Sequence, residues 1–407
     1  MLNHTKQQSN ELWLKAAVVG GLWASIEIIV GSFLHNTRLP FAGTILAVAG
    51  TILLIGFYQI WPHKGLIIRA GLITALMKSV SPSALILGPM TGIFAEALLV
   101  ELVIRLLGSN HVSYLVAGIF SVASALFHKI ISLLIVYGFD LVKVYVNLIN
   151  FGLKQLRVKE AQPLEIFLVL LAVYVMAGMA AAWMGYLAGK RSLKMSAEDL
   201  KIPQESDFSR REFFPVDNQK NTSTALLFLH VLALPLGLFL LNYFEFYIGL
   251  IYVIVYTIAF GFRYQYAMRR LRKPVFWLQM VFILVLSTFF WNAGVSPFEP
   301  SIEGARVGFE MMVRALFVVV AFTSLSAELR NEKVRDFLFK AGMGQLYQAI
   351  GLAFSALPTM IALLPTSKQI LRHPVKSLLR PMAMANHWLE IFKNKAVRPA
   401  DGQENMS

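Results

Sequence analysis

Apolar residues along this chain arrive in runs rather than in the short alternations of a soluble domain. Runs of about twenty such residues, the length that crosses a hydrocarbon layer as a helix, fall near 12–33, 41–60, 65–80, 83–107, 112–138 and 164–187. A polar interval follows. Residues 189–222 mix both charge signs with Pro, Ser and Asn and hold no long apolar run, which predicts a linker between two helical blocks. The second block offers runs near 223–242, 245–262, 275–292 and 306–327, with a further apolar helix at about 345–365. No internal repeat relates the halves. The pattern predicts an all-α, polytopic membrane protein of about ten spans in two bundles.

Charge orients the second block. The connection "RYQYAMRRLRKP" carries Arg263, Arg269, Arg270, Arg272 and Lys273, whereas the next, "NAGVSPFEPSIEGA", has only Glu299 and Glu303 as charges, so the basic one is expected to be cytoplasmic. Counting spans places the linker, the N-terminus and residues 328–344 on that side. A helix at 345–365 that crossed would put Lys368, Arg372, Lys376 and Arg380 outside, against the rule. It is therefore expected to lie along the inner face or against a partner, as Gln345, Gln348, Ser355, Pro358 and Thr359 also suggest. The same count puts Lys143, Lys154, Arg157 and Lys159 outside, and the 139–162 connection is expected to be an amphipathic surface helix.

Composition agrees with this class and removes others. Of 407 residues, 57% are hydrophobic and 15% charged, and the mean hydropathy is +0.62. The first run has no cleavage site after a short apolar stretch and is expected to remain as a span. There is no cysteine, which excludes disulfides and thiolate chemistry. The net charge of +14 is expected to serve cytoplasmic loops on an anionic lipid leaflet, not nucleic acid. No phosphate-binding G-x-x-x-x-G-K-[ST] loop and no paired-His motif occurs, so the sequence predicts no catalytic residue, no metal and no cofactor of its own. The aromatic stretch "STFFWNAG" is expected to form an interfacial belt.

Ionisable residues inside apolar runs carry the functional signal, because each is costly in hydrocarbon. Glu101 and Arg105, four apart, are expected to form a structural ion pair. Glu96 lies on a different face of the same helix with no local cation, so its partner must come from another span, Arg69 or Lys78. Gly88, Pro89 and Gly92 before it could break the helix and free backbone groups for a ligand. Two readings remain: buried helix-to-helix pairing, or a substrate pocket lined by Glu27, Arg69, Lys78 and Glu96 that takes a polar or zwitterionic small molecule. In "LKAAVVGGLWASIEIIVG", Ala16, Gly20 and Ala24 make one helix face nearly flat, for packing in its own bundle or for docking another block.

With those residues in hand, a family resemblance is visible. Six spans with a small-residue face on the first, followed by "PSALILGPMTGIFAEALLVELVIRLLG", resemble the substrate-binding S component of energy-coupling factor transporters, which capture vitamins and other micronutrients. The second block resembles the transmembrane T component of that system. It is carried by "RALFVVVAFTSLSAELRNEKVRDFLFKAGMGQLYQAIGLAFSALPTMIALLP", with Arg314, then Thr323, Ser324, Ser326 and Glu328, then Pro358. The resemblance implies residues 1–188 as a substrate-binding bundle, 189–222 as a cytoplasmic linker, 223–327 as a four-span scaffold and 328–407 as cytoplasmic coupling-type helices with a basic tail. It implies a permease in the plasma (inner) membrane, both termini cytoplasmic, energised by separate ATP-binding-cassette ATPase subunits. Arg372 in "LRH" and Arg380 in "LRP" are the nearest counterparts of the family's small-Arg-small coupling triplets, without the small neighbours. The runner-up readings are an ion-coupled secondary transporter protonated at Glu96 or Glu101, and a membrane enzyme or assembly factor.

Overall fold

The computed structural model describes residues 2–36, 41–79, 87–155, 162–195, 224–264, 268, 271, 274–292, 299–329, 344–365 and 367–397. Among them there is no strand, and the helices are α1 (Leu2–Asn36), α2 (Ala42–Ile60), α3 (Leu66–Ser79), α4 (Leu87–Leu107), α5 (His111–Tyr137), α6 (Asp140–Gln155) and α7 (Pro163–Ser192), then α8 (Thr224–Tyr243), α9 (Phe246–Arg263), α10 (Pro274–Phe290) and α11 (Ile302–Leu329), then α12 (Gly344–Leu363), α13 (Ser367–Arg372), α14 (Pro374–Ala383) and α15 (Ala385–Val397). Seven contain a stretch long and apolar enough to cross a membrane: Asn10–Gly31, Ala42–Ile60, His111–Tyr137, Leu164–Ser192, Ala225–Tyr243, Phe246–Arg263 and Ile302–Leu325. Three expected spans are not among these seven: α3, α4 and α10. α3 has 14 residues, so at 1.5 Å per residue it reaches roughly 21 Å, and α10 has an apolar stretch of Phe276–Phe290.

α1 is the axle of the first bundle. It is apolar on all sides, as a helix surrounded by others must be, and 89% of its apolar window is buried. Trp23, Leu22 and Ile26 pack with no more than 1% exposure. Between apolar helices in lipid, burial of apolar area gives little drive, so close backbone approach has to hold the contact. The small-residue face supplies that approach. At Gly20 a methyl group would sit 2.9 Å from both the Ala70 carbonyl oxygen and the Ile73 side chain of α3, so α3 lies directly on this face; Ala16 and Ala24, one turn either side, are buried.

One residue further round, the same helix meets the far end of the chain. Gly21 faces Ala353 and Met360 of α12. The first bundle's core takes in Leu346, Ile350, Met360, Met382, Trp388 and Phe392 as well as α1–α5 and α7. The sequence grouped 328–407 with the second block; the described part, α12–α15, packs into the first. Residues 196–223 and 330–343, which hold most of the linker and the start of the expected coupling segment, lie outside the described residues.

α8–α11 form the second bundle, and α5 joins the two, since Ile135 and Val136 pack against the α8, α9 and α11 core. The connection expected to be amphipathic is α6. It buries Leu141 and Val144 and is fixed to the end of α10 by Asn147, whose amide donates to the carbonyls of Phe290 (2.8 Å) and Trp291 (3.0 Å). Lys143 sits 3.6 Å over the Trp291 ring. Phe290 and Trp291 are thus buried at a helix junction, not arrayed in a belt, because α6 covers them.

Candidate functional site

The expected pocket residues divide between the two ends of the first bundle. Glu101 is 4% exposed, and its carboxylate accepts from Arg105 Nε at 2.7 Å, so the predicted pair forms. It also accepts from the backbone N–H of Gly65 (2.5 Å) and of Ile67 (3.1 Å). Those amides open α3 and have no carbonyl within their own helix to bond, so Glu101 caps α3 from the neighbouring α4 and places a negative charge at its positive end. Gly65 has φ +86°, the left-handed conformation that lets the chain turn into this cap.

Arg69 belongs to this end too. It donates to the Gly65 carbonyl at 3.0 Å and lies 5.1 Å over the Trp13 ring. Arg69 therefore neither partners Glu96 nor lines a pocket with Lys78, which is nine residues along α3 and roughly 13.5 Å further up the helix. Nearby, in the connection between α2 and α3, His63 stands 3.3 Å from Lys15, which pairs with Glu11 at 3.2 Å. Partial burial and then the Lys15 charge hold the His63 imidazole below its ordinary pKa. Glu11 also pairs with Lys393 of α15 at 3.4 Å, and Trp61 donates to Asn386 at 3.2 Å, so the N-terminal end of α1 and the C-terminal helices share one end of the bundle.

At the opposite end, Lys78 pairs with Glu27 at 3.3 Å, both side chains nearly buried, and the same ammonium donates to the Glu27 carbonyl at 3.3 Å. Glu96 is 7% exposed and within electrostatic reach of Glu27. No described residue makes an ion pair or hydrogen bond with it. The sequence expected Lys78 or Arg69 as its partner; Lys78 is held by Glu27 of α1 instead. The expected helix break is not found either. α4 runs unbroken from Leu87, so Pro89 stands in its first turn, where no intrahelical N–H is required, and Gly92 lies inside the helix, where an added methyl group would sit 3.5 Å from the His128 ring. Residues 80–86 lie outside the described residues. Two carboxyl groups and one ammonium, those of Glu27, Glu96 and Lys78, thus share this end of the bundle.

The expected coupling residues differ in exposure. Arg372 ends α13 in solvent-exposed surroundings, while Arg380 is half-buried within α14.

A second polar cluster escaped the sequence reading. His230 of α8 has no exposure, with Nδ1 at 2.7 Å from the Tyr256 hydroxyl and Nε2 at 3.1 Å from the Tyr264 hydroxyl. The Tyr264 hydroxyl donates to Glu328 of α11 at 2.5 Å, and Glu328 is also fully buried. Tyr264, just past the end of α9, is held above the ordinary phenol pKa by burial and by the Glu328 carboxylate, and so keeps its proton. The signal available in sequence was the aromatic stripe Tyr252, Tyr256, Phe260 and Tyr264 at every fourth position of α9, with His230 as the lone histidine of its run. Arg314, in the same bundle, donates to Asn242 of α8 and lies against Gly138 after α5.

The described helices include two apolar cavities. One, of about 200 Å³, lies between α9 and α11 and is lined by Leu250, Val253, Thr257 and Val313; the other, of about 30 Å³, lies beside Tyr114, Trp183 and Tyr186. No group of three or more His, Asp or Glu among the described residues could hold a metal ion. No protein-family model matches the chain, and none of the curated proteins or solved structures compared with it is a match. Fold and site therefore define a class, a helical protein with several membrane-length helices and ionisable residues within them.

Proposed function

We propose that the chain is a plasma-membrane permease that takes up a small polar micronutrient, a vitamin or a precursor, with energy supplied by separate ATP-binding-cassette subunits. In this reading about ten spans form two bundles, and α12–α15 are coupling-type helices. The observation that carries it is the double contact of α1. On one face α1 holds α3, and with it the Glu27–Lys78 pair beside Glu96; one residue further round it holds α12 of the C-terminal segment. A displacement of the C-terminal helices by an ATPase would therefore reach the polar cluster through a single rigid helix. Both termini are cytoplasmic in this reading. The Glu11–Lys393 pair supports that by bringing the N-terminal part of α1 to the basic C-terminal helices, which the charge rule places inside. The Glu27–Lys78–Glu96 cluster then lies in the outer half of the bundle, where a substrate arriving from outside would enter.

The test is affinity purification of the tagged full-length protein in mild detergent beside an Arg372→Glu variant, with mass spectrometry of the proteins retained. ATP-binding-cassette subunits are expected with the native chain and fewer with the variant, and uptake should be vanadate-sensitive. If neither chain retains an ATPase and uptake ignores vanadate, the reading fails. One observation favours a second reading. Glu96 has no partner among the described residues, as a carboxylate that binds and releases a proton during ion-coupled transport would require; an uncoupler would then abolish uptake.

A further inference from the structure

With Glu328 as a carboxylate, the hydrogen bonds around His230 have one self-consistent direction. A carboxylate can only accept, so at 2.5 Å the Tyr264 O–H must donate to Glu328. That leaves the Tyr264 oxygen only lone pairs to offer, and Arg263 at the end of α9 donates to one of them. His230 Nε2, 3.1 Å away, must then carry the hydrogen and donate to the other. A neutral imidazole has one N–H, so Nδ1 is bare and accepts the Tyr256 O–H at 2.7 Å. Three proton-bearing bonds therefore point the same way, from α9 through α8 and back through α9 to α11. The Ser324 hydroxyl of α11 lies beside Tyr256 and donates its own hydrogen to the Val320 carbonyl at 2.9 Å, so its oxygen is left to accept.

From this arrangement we infer that the second bundle holds a proton-binding centre, in which Tyr256, His230, Tyr264 and Glu328 take up one proton from solution and carry it as the carboxylic acid of Glu328. The step balances without any other reactant. The Tyr256 proton moves to Nδ1, the Nε2 proton moves to the Tyr264 oxygen, and the Tyr264 proton moves to Glu328. The Tyr256 oxygen is reprotonated on its Ser324 side by the incoming proton. Three O–H or N–H bonds break and four form, the fourth to the incoming proton; the imidazole changes tautomer, and one positive charge is gained overall. Among the described residues, the charged groups facing the chain are Glu328 from α11 and Arg263 from α9, and the phenols of Tyr252 and Tyr256 from α9 and of Tyr264 just past it are the other titratable groups.

The consequence is mechanical as well as chemical. In the unloaded state Glu328 accepts from Tyr264; in the loaded state it donates, and each bond between α8, α9 and α11 is rebuilt with the opposite polarity. A bond network with two complete arrangements is a two-state element, and the proton selects the state. The inference concerns the second bundle alone and stands or falls independently of the permease reading.

Its test is nitrogen NMR of full-length protein labelled with ¹⁵N-histidine and held in lipid nanodiscs, with the His230 signals assigned by their loss in His230→Asn. At neutral pH the ring is expected as the neutral Nε2–H tautomer. On acidification Nδ1 should pass once from the unprotonated to the protonated range, and Tyr264→Phe, which cuts the link to Glu328, should remove that transition. Tyr256→Phe, which cuts the other end, serves the same purpose should Tyr264→Phe fail to fold, and the native titration decides if both fail. A ring that is Nδ1–H at neutral pH overturns the derived direction. Signals unchanged between about pH 4 and pH 9 show a static polar lock and overturn the proton site.

Discussion

Replacing Glu101 with glutamine tests whether this residue acts chiefly as the partner of Arg105 or as the cap of α3. The two roles have different energies. Arg105 keeps 51% of its side chain exposed, and ion pairs with one partner in solvent contribute about 0–1 kcal/mol. Glu101 itself is buried, and its two backbone contacts are charge-assisted hydrogen bonds of about 1.5–3 kcal/mol each, whose loss would strand the Gly65 or Ile67 amide. Glutamine keeps one acceptor oxygen and replaces the other with a donor, so it can satisfy one amide but not both. Glu101→Gln should therefore cost about 2–3 kcal/mol and Arg105→Gln less than about 1 kcal/mol. The assay is unfolding of the purified full-length protein in mixed detergent micelles, followed by far-UV circular dichroism across an SDS titration. If Arg105→Gln is as damaging as Glu101→Gln, the cap is not the dominant role and the argument from burial is wrong.

Three further outcomes can be measured with the same preparation. Lys78→Met strands the buried Glu27 beside Glu96 and should destabilise by about 3–5 kcal/mol, whereas Glu27→Leu/Lys78→Met should recover most of the loss; a double variant as poor as the single one would contradict it. Gly71→Ala should destabilise, because the added methyl collides with Ala97 of α4, while Gly152→Ala, which meets open space in α6, should gain up to about 1 kcal/mol from helix propensity; equal responses would mean that α3 and α4 do not approach this closely. His63 binds its proton less readily in the folded chain than in the unfolded one, so the stability it contributes is present above about pH 6.5 and is lost as the pH falls through that value. Unfolding midpoints at pH 7.5 and 5.5 should show a small loss on acidification that His63→Gln reduces, and an unchanged loss in the variant would assign it to other groups.

What could be read in the sequence was what depends on neighbours within one helix. The apolar runs located the helices, and the Glu101–Arg105 pair follows from a spacing of four on one face. The amphipathic α6 was visible for the same reason, since its polar and apolar positions alternate with the helical period. Contacts across helices were not legible. Glu27 and Lys78 are 51 positions apart, and nothing local says that the flat face of α1 brings α3, rather than α4, within reach of its carboxylate. That face announced a close approach without naming the partner, and it proved to have two, α3 at Gly20 and α12 at Gly21. The extra contacts of Glu101 were hidden because they go to backbone amides, which every sequence contains. The His230 network was hidden because its members sit on three helices and each alone looks like ordinary core.

The meeting of α1 with α12 has a consequence for how the protein is made. Gly21 and Met360 are 339 positions apart, and at roughly 5–20 residues per second the ribosome needs about 17–70 s to deliver the second after the first. Throughout that interval α1 is inserted beside α3 with one flat flank bare. Small residues on such a flank attract any helix able to come close, so the nascent bundle has to be shielded, or remain loosely assembled, until translation nears its end. A stop codon anywhere before residue 344 would leave that flank uncovered for good, and quality-control proteases that recognise unfilled helix faces would be expected to remove the product rather than leave a working half.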